Sequence, residues 1–152
     1  MSVSRIDGTL EQIALGRSAA KQTLFKSATF RLADGRQRAL PKFVASKNVT
    51  AELTPGASGR FYHFKAVDHQ GIAGVRLEGG AALFEYPRTN ERICMILVFV
   101  NLLWILVRAV LIGDGVPLLA VALMIFGGVF WYLNRNLYLE AKALFDGDSA
   151  AP

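Results

Sequence analysis

Hydrophobic and polar positions follow two regimes along the chain. Up to residue 92 the apolar residues come in short segments, alternate with polar ones and are cut by turn residues; beyond it they run together. Residues 93–112 read ICMILVFVNLLWILVRAVLI, with one charge, Arg108, and one amide, Asn101. After GDG at 113–115, residues 116–133 read VPLLAVALMIFGGVFWYL and carry no charge. A bilayer core about 30 Å thick needs about 20 helical residues to cross it, and in lipid every backbone group must bond within its own helix. The short link permits only a tight reversal, so the two runs are expected to form an antiparallel transmembrane hairpin. A pair of core helices in a soluble protein is the competing reading, but the rest of the chain offers too little amphipathic helix to cover them. Residues 134–145 continue at helical spacing, with Phe130, Leu133, Leu137, Ala141 and Leu144 on one stripe. The second helix is thus expected to outrun the bilayer, and its stripe to need a partner in the β-domain or in a neighbour. A polar tail, 146–152, follows.

Before the hairpin the period is two. Strands are expected at 5–13, 23–32, 36–44, 60–66, 72–77 and 81–86, with a loop or helical turn at 14–21 and a short helix or loop at 45–53. In 23–32, Leu24, Ala28, Phe30 and Leu32 share a face and Lys26 breaks the pattern. Asp34-Gly35 is a hairpin turn. Pro41 has no N–H for a ladder, so its strand should be an edge or end early. In RFYHFKA, Phe61, His63 and Lys65 point one way and Tyr62, Phe64 and Ala66 the other. Short strands spaced in this way indicate a small barrel or sandwich, OB-like or SH3-like. The expected fold is therefore an α+β membrane protein: a small N-terminal β-barrel-like domain (1–92), a two-helix transmembrane hairpin (93–112 and 116–133, loop 113–115), and a helix extension with a polar tail (134–152).

Charge adds an orientation. Residues 1–92 hold 14 Lys/Arg against 8 Asp/Glu, and the whole chain is +5. Arg88 and Arg92 precede the first run, Arg135 and Lys142 follow the second, and the loop between has only Asp114. By the positive-inside rule both termini face the cytoplasm, in a plasma or bacterial inner membrane. No apolar core of signal-peptide length interrupts the first 30 residues. Arg108, near the outer end of its run, can snorkel, and Trp131, Tyr132 and Arg135 stand where an interfacial belt belongs. The single cysteine, Cys94, excludes an intrachain disulfide; it reads as a small apolar helix residue, with lipid modification as the alternative.

Catalytic motifs are absent from the sequence: no phosphate loop, GxGxxG, GxSxG or HExxH. His63, Asp68 and His69 are a weak metal constellation, and a strand histidine beside a turn histidine is the plainer reading. No metal or other cofactor is expected. In the hairpin, Asn101 can act as interhelical glue, Arg108 can reach Asp114, and Gly127 and Gly128 permit close helix approach. The basic β-domain would suit phosphate or anionic lipid. Base stacking would need Phe43, Phe61, Tyr62 or Phe64, which a small barrel requires for its own core, so nucleic acid is not expected as a partner. The function expected is a non-enzymatic, membrane-anchored accessory or interaction subunit. It would present the basic domain, contact membrane lipids, and bind a protein partner or itself through the hairpin. The alternative is an oligomeric pore or transporter subunit with Arg108 and Asn101 at the helix interface.

Overall fold

The structure is a computed structural model in which residues 1–80, 82–113 and 115–148 are described. In chain order the elements are β1 (Ser2–Ser18), β2 (Gln22–Leu32), β3 (Gln37–Ser46), α1 (Lys47–Glu52), β4 (Ser58–Lys65), β5 (Gln70–Leu77), β6 (Ala82–Phe84), α2 (Thr89–Leu106), a π-helical turn (Val107–Ile112) and α3 (Leu118–Gly147). They form two compact units. One holds Met1–Pro87 with Leu137–Pro152, the other Arg88–Asn136.

Five strands of the first unit close a barrel. The sheet order is β3-β2-β1-β4-β5-β6, and a parallel pairing of β3 with β5 joins the ends. That seam is short: Val44 pairs with Gly71 and Ala45 with Ile72. β1 is long because it serves two neighbours. Its first half pairs with β4 from Ser2 to Thr9, its second with β2 from Gly8 to Ser18. Register shifts after Leu10, Ala14 and Leu15 bend it around the barrel. Residues 14–18, part of the 14–21 segment expected as a loop or helical turn, are therefore strand. The same irregularity accounts for Lys26. Along β1, Ala14 meets Ser27 and the next residue, Leu15, meets Phe25, so Lys26 is the extra residue of a bulge. The inward phase moves there from Ala28 and Phe30 to Phe25 and Thr23, and Leu24 turns out to be only half-buried. Pro41 does not end β3, which runs on to Ser46. It lies on the stretch of β3 that precedes the seam with β5, where a missing N–H costs no ladder bond.

The barrel interior is aromatic. Phe25 stacks on Phe43 with ring centroids 4.9 Å apart, and Phe30 meets Phe61 at 4.9 Å. Ile6, Leu10 and Ile72 fill the space between. α1 plugs one side with Val49, and its first turn is capped by Ser46, whose Oγ accepts the Val49 N–H at 3.2 Å.

A second core lies outside the barrel. Phe64 on β4, Ala66 just past its end and Ala73 on β5 pack against Tyr86 and against Leu137 and Ala141 of α3. Of the stripe read as Phe130, Leu133, Leu137, Ala141 and Leu144, Leu137 and Ala141 thus meet the β-domain of their own chain, and Phe145 rather than Leu144 continues the buried face. The end of α3 from residue 137 on runs down this outer face. Tyr138 stands over Tyr86 (5.7 Å), and Phe145 over Tyr62 (5.0 Å) and Phe84 (5.2 Å). At its C-terminal end Arg76 places its guanidinium carbon 4.1 Å from the Phe145 ring centroid and donates to the Phe145 carbonyl at 3.0 Å. A cation there satisfies a terminal carbonyl and the helix dipole together.

The second unit is built from two helices long and apolar enough to cross a membrane, Thr89–Ile112 and the part of the Leu118–Gly147 helix that precedes Leu137, with mean hydropathy 2.6 and 1.6 over their apolar windows. Only 6% and 17% of those windows are buried. Phe99, Leu111 and Leu118 are 70%, 77% and 82% exposed. Core helices of a soluble protein would be mostly covered, and these present continuous apolar surface. The first span is α-helical only to Leu106. Its last six residues widen into a π-turn, which Gly113 ends with φ +72°.

Candidate functional site

The charge of the barrel unit is segregated along the chain and therefore on its surface. Between Glu11 and Glu52 there is one carboxylate, Asp34, against eight Lys/Arg. Two of the eight have acidic partners: Arg31 pairs with Glu11 and Arg36 with Asp34 at 2.6 Å. Arg17, Lys21, Lys26, Lys42 and Lys47 are exposed, with no carboxylate partner among the described residues. Strand register concentrates them. Phe25 pairs with Phe43 and Ser27 with Pro41, which puts Lys26 opposite Lys42. The Lys47 N–H donates to the Lys21 carbonyl at 3.2 Å, holding the start of α1 beside the β1–β2 tip. An open groove of about 520 Å³ lies here, lined by Arg17, Ser18, Ala19, Gln22, Leu24 and Val44. Phe43, Phe61, Tyr62 and Phe64 are all at most 1% exposed, so none of them offers a face to a base.

His63, Asp68 and His69 do not converge. His63 is 5% exposed and sits in a directed chain of hydrogen bonds. Gln70 donates through Nε2 to the carbonyls of Pro41 (3.0 Å) and Lys42 (3.4 Å), so its Oε1 accepts from His63 Nε2 at 3.3 Å. His63 Nδ1 then accepts from Ser4 Oγ at 3.2 Å. Burial holds the His63 imidazole below its usual range, against the pull of the Gln70 bond and with help from the charges of Arg38 and Lys65. This chain of bonds ties β4 and β5 to the part of β3 that precedes the seam, and it contains no carboxylate to orient the imidazole for nucleophilic work. His69 Nδ1 is bonded instead to Asp68 Oδ1 at 2.7 Å. Among the described residues no three His, Cys, Asp or Glu side chains are placed to hold a metal ion.

An ionic clamp that the sequence did not signal closes the outer face. Asp148 accepts from Arg60 Nη1 at 2.7 Å, from Arg5 Nη1 at 3.0 Å and from the Tyr62 hydroxyl at 3.0 Å. Partial desolvation pushes its pKa up, but the bonds from Arg5 and Tyr62 and the charges of Arg5 and Arg60 outweigh it and hold the carboxyl below its ordinary value. Arg60 and Asp148 are 17% and 14% exposed at their side chains, whereas Arg5 is 41% exposed, so the Arg60 pair carries most of the bond. Asp148→Ala is expected to cost about 2 kcal/mol, to raise amide exchange over 137–147, and to leave the barrel strands protected. The wild-type contribution is complete above the ordinary carboxylate range near pH 4 and is lost as pH falls through the lowered native value. Exchange that is unchanged in the variant would show that the clamp holds nothing.

In the helical unit, Asn101 is 9% exposed and its Nδ2 donates to Leu97 O of its own helix at 2.7 Å. Asn134, which the apolar pattern did not single out, does the same to Phe130 O at 2.8 Å and is 4% exposed. Gly127 is the close-approach residue. A methyl there would lie 3.1 Å from Val98 Cγ2 and 3.3 Å from the Cys94 carbonyl, while at Gly128 it would meet nothing. Arg108 is half-buried on the π-turn. Asp114 lies outside the described residues. Arg135 reaches Glu91 at 3.3 Å and places its guanidinium 5.9 Å from the Trp131 ring centroid; Tyr132 is 59% exposed. No family model, curated protein or solved structure matches the chain.

Proposed function

We propose that the protein is a membrane-anchored, non-enzymatic accessory subunit that presents a basic barrel to a partner at the membrane surface. The observation that carries this reading is that two spanning-length apolar helices have only 6% and 17% of their windows buried, in a chain whose other unit is a well-packed barrel. Lipid covers such helices without further protein. The positive flanks, Arg88 just before the first helix, Arg92 in its first turn, and Arg135 and Lys142 in the second, support both termini facing the cytoplasm. Strand order β1-β2-β3-β5-β4 with a parallel β3–β5 closure and a helix between β3 and β4 supports an OB-type reading of the barrel over an SH3-like one. OB-type barrels bind through the β2–β3 side and its flanking loops, which is where the unpartnered cations lie.

Asn101 donates within its own helix and Gly127 packs against α2, so both serve the hairpin itself. This favours a single anchoring hairpin over a subunit of a pore. The test has two steps on the full-length chain in its own host. Membranes washed with alkaline carbonate should retain the protein, and release by the wash would overturn the anchor. Gentle detergent purification should then bring down a stoichiometric foreign protein. A homo-oligomer alone, with ion flux that Arg108→Ala abolishes, would replace this reading with the pore.

A further inference from the structure

We infer that one end of the barrel docks on an anionic lipid surface, with Leu15 and Val67 entering the headgroup layer and the unpartnered cations around them neutralising lipid phosphates. The inference rests on the membrane-anchored reading.

Three chain segments meet at this end. They are the β1–β2 tip, the β3–α1 junction and the turn between β4 and β5. The Lys47 N–H bond to Lys21 joins the first two. The parallel seam, Val44 to Gly71 and Ala45 to Ile72, brings the start of β5 to the end of β3, and the turn precedes it directly. Gln70 adds its bonds to the Pro41 and Lys42 carbonyls. That turn is closed by the Ala66 N–H donating to the His69 carbonyl at 2.8 Å. Closure leaves Val67 at its tip, 66% exposed. Leu15 is 61% exposed and lies beside the Lys26 bulge. The carboxylate of Asp68, on the same turn as Val67, is engaged by His69.

Two arguments select lipid as the occupant. The first is complementarity. Arg17, Lys21, Lys26, Lys42 and Lys47 match a negative surface, and two exposed aliphatic side chains among them match the layer just beneath it. A nucleic acid would use the cations but has no place for Leu15 and Val67, and the aromatics that would stack its bases are buried. The second is chain path within the barrel unit. β6 runs back along β5 from Arg76 toward Gly74, so Tyr86 comes to rest on Phe64, and the chain leaves the unit at Pro87. It re-enters at Leu137, which packs in the same cluster as Phe64 and Ala66, whereas Asp148 reaches the far end at Arg60. Both covalent links to the apolar helices therefore leave from the end that carries Val67.

The test uses the full chain with Cys94→Ala and Val67→Cys, labelled with an environment-sensitive fluorophore and reconstituted into phosphatidylcholine vesicles with or without phosphatidylglycerol. The expected result is a blue shift and a severalfold drop in quenching by an aqueous quencher in the anionic vesicles. Lys26→Gln/Lys42→Gln should abolish most of the difference while the far-ultraviolet circular dichroism stays the same. Protein that resists alkaline extraction but gives the same signal in both lipids would overturn this inference and leave the anchor intact. Protein released by alkaline extraction would overturn both. A shift caused by a single-stranded oligonucleotide and not by anionic lipid would assign the surface to nucleic acid instead.

Discussion

Phe64→Ala is expected to cost the barrel unit about 3–5 kcal/mol, the usual range for emptying a fully buried aromatic site, and to release the last turns of α3. Phe64 is wholly buried, but outside the barrel. Its ring lies 4.6 Å from Tyr86 and 5.6 Å from His69, and it shares a cluster with Leu137 and Ala141. Tyr86 and Leu137 are where the chain leaves and re-enters the unit, so the truncation removes the common support of both. Hydrogen exchange in detergent should show residues 137–147 losing protection before β1, β2 and β3 do. Phe61→Ala, which empties the interior core of the same strand, should instead lower protection of all the strands together. If the two variants gave the same exchange pattern, the outer cluster would not be a separate core.

Gly71→Ala should cost about 3 kcal/mol, at the upper end of ordinary overpacking, and should loosen the seam that closes the barrel. A Cβ at this position would collide with the Val44 carbonyl and lie 2.6 Å from two ring carbons of Phe64. Neither neighbour can give way cheaply. The carbonyl belongs to the only two-residue pairing that joins β3 to β5 among the described residues, and the ring is locked in the outer cluster. The expected signature is a lower midpoint of thermal unfolding with faster exchange at residues 44–46 and 71–73. Gly128→Ala, where nothing lies within 4 Å, should change neither. A Gly71→Ala protein as stable as wild type would mean that the seam tolerates a shift of several tenths of an ångström.

Much of this architecture was legible locally. Two uncharged or nearly uncharged runs were legible as helices long and apolar enough to cross a membrane, because length and composition alone decide that property. The period-two segments placed the strands to within a few residues, and Lys26, the one residue that broke the alternation of its strand, marks the bulge. The Asp34-Gly35 turn was likewise readable from neighbouring residues, whereas the segment after β3 read as a short helix or a loop and the structure makes it a helix. The errors are also local in kind. Residues 14–18 look like a loop because Gly16 and small polar residues surround them, yet the long β1 is held there by pairing with β2. Pro41 reads as an edge position or an early strand end because its missing N–H is visible in the sequence; the structure keeps the edge and carries the strand on to Ser46.

The sequence by itself determined which two runs are helices of spanning length and where most of the strands lie, since each of these depends on side chains a few residues apart. Only the tertiary structure decided that β3 closes on β5, that the end of α3 belongs to the barrel, that Asp148 meets Arg5, Arg60 and Tyr62, and that the unpartnered cations gather at one end. Those features join residues up to 143 positions apart. No periodicity carries information over that separation, and such contacts form only once loop closure has been compensated by the packing of the whole unit.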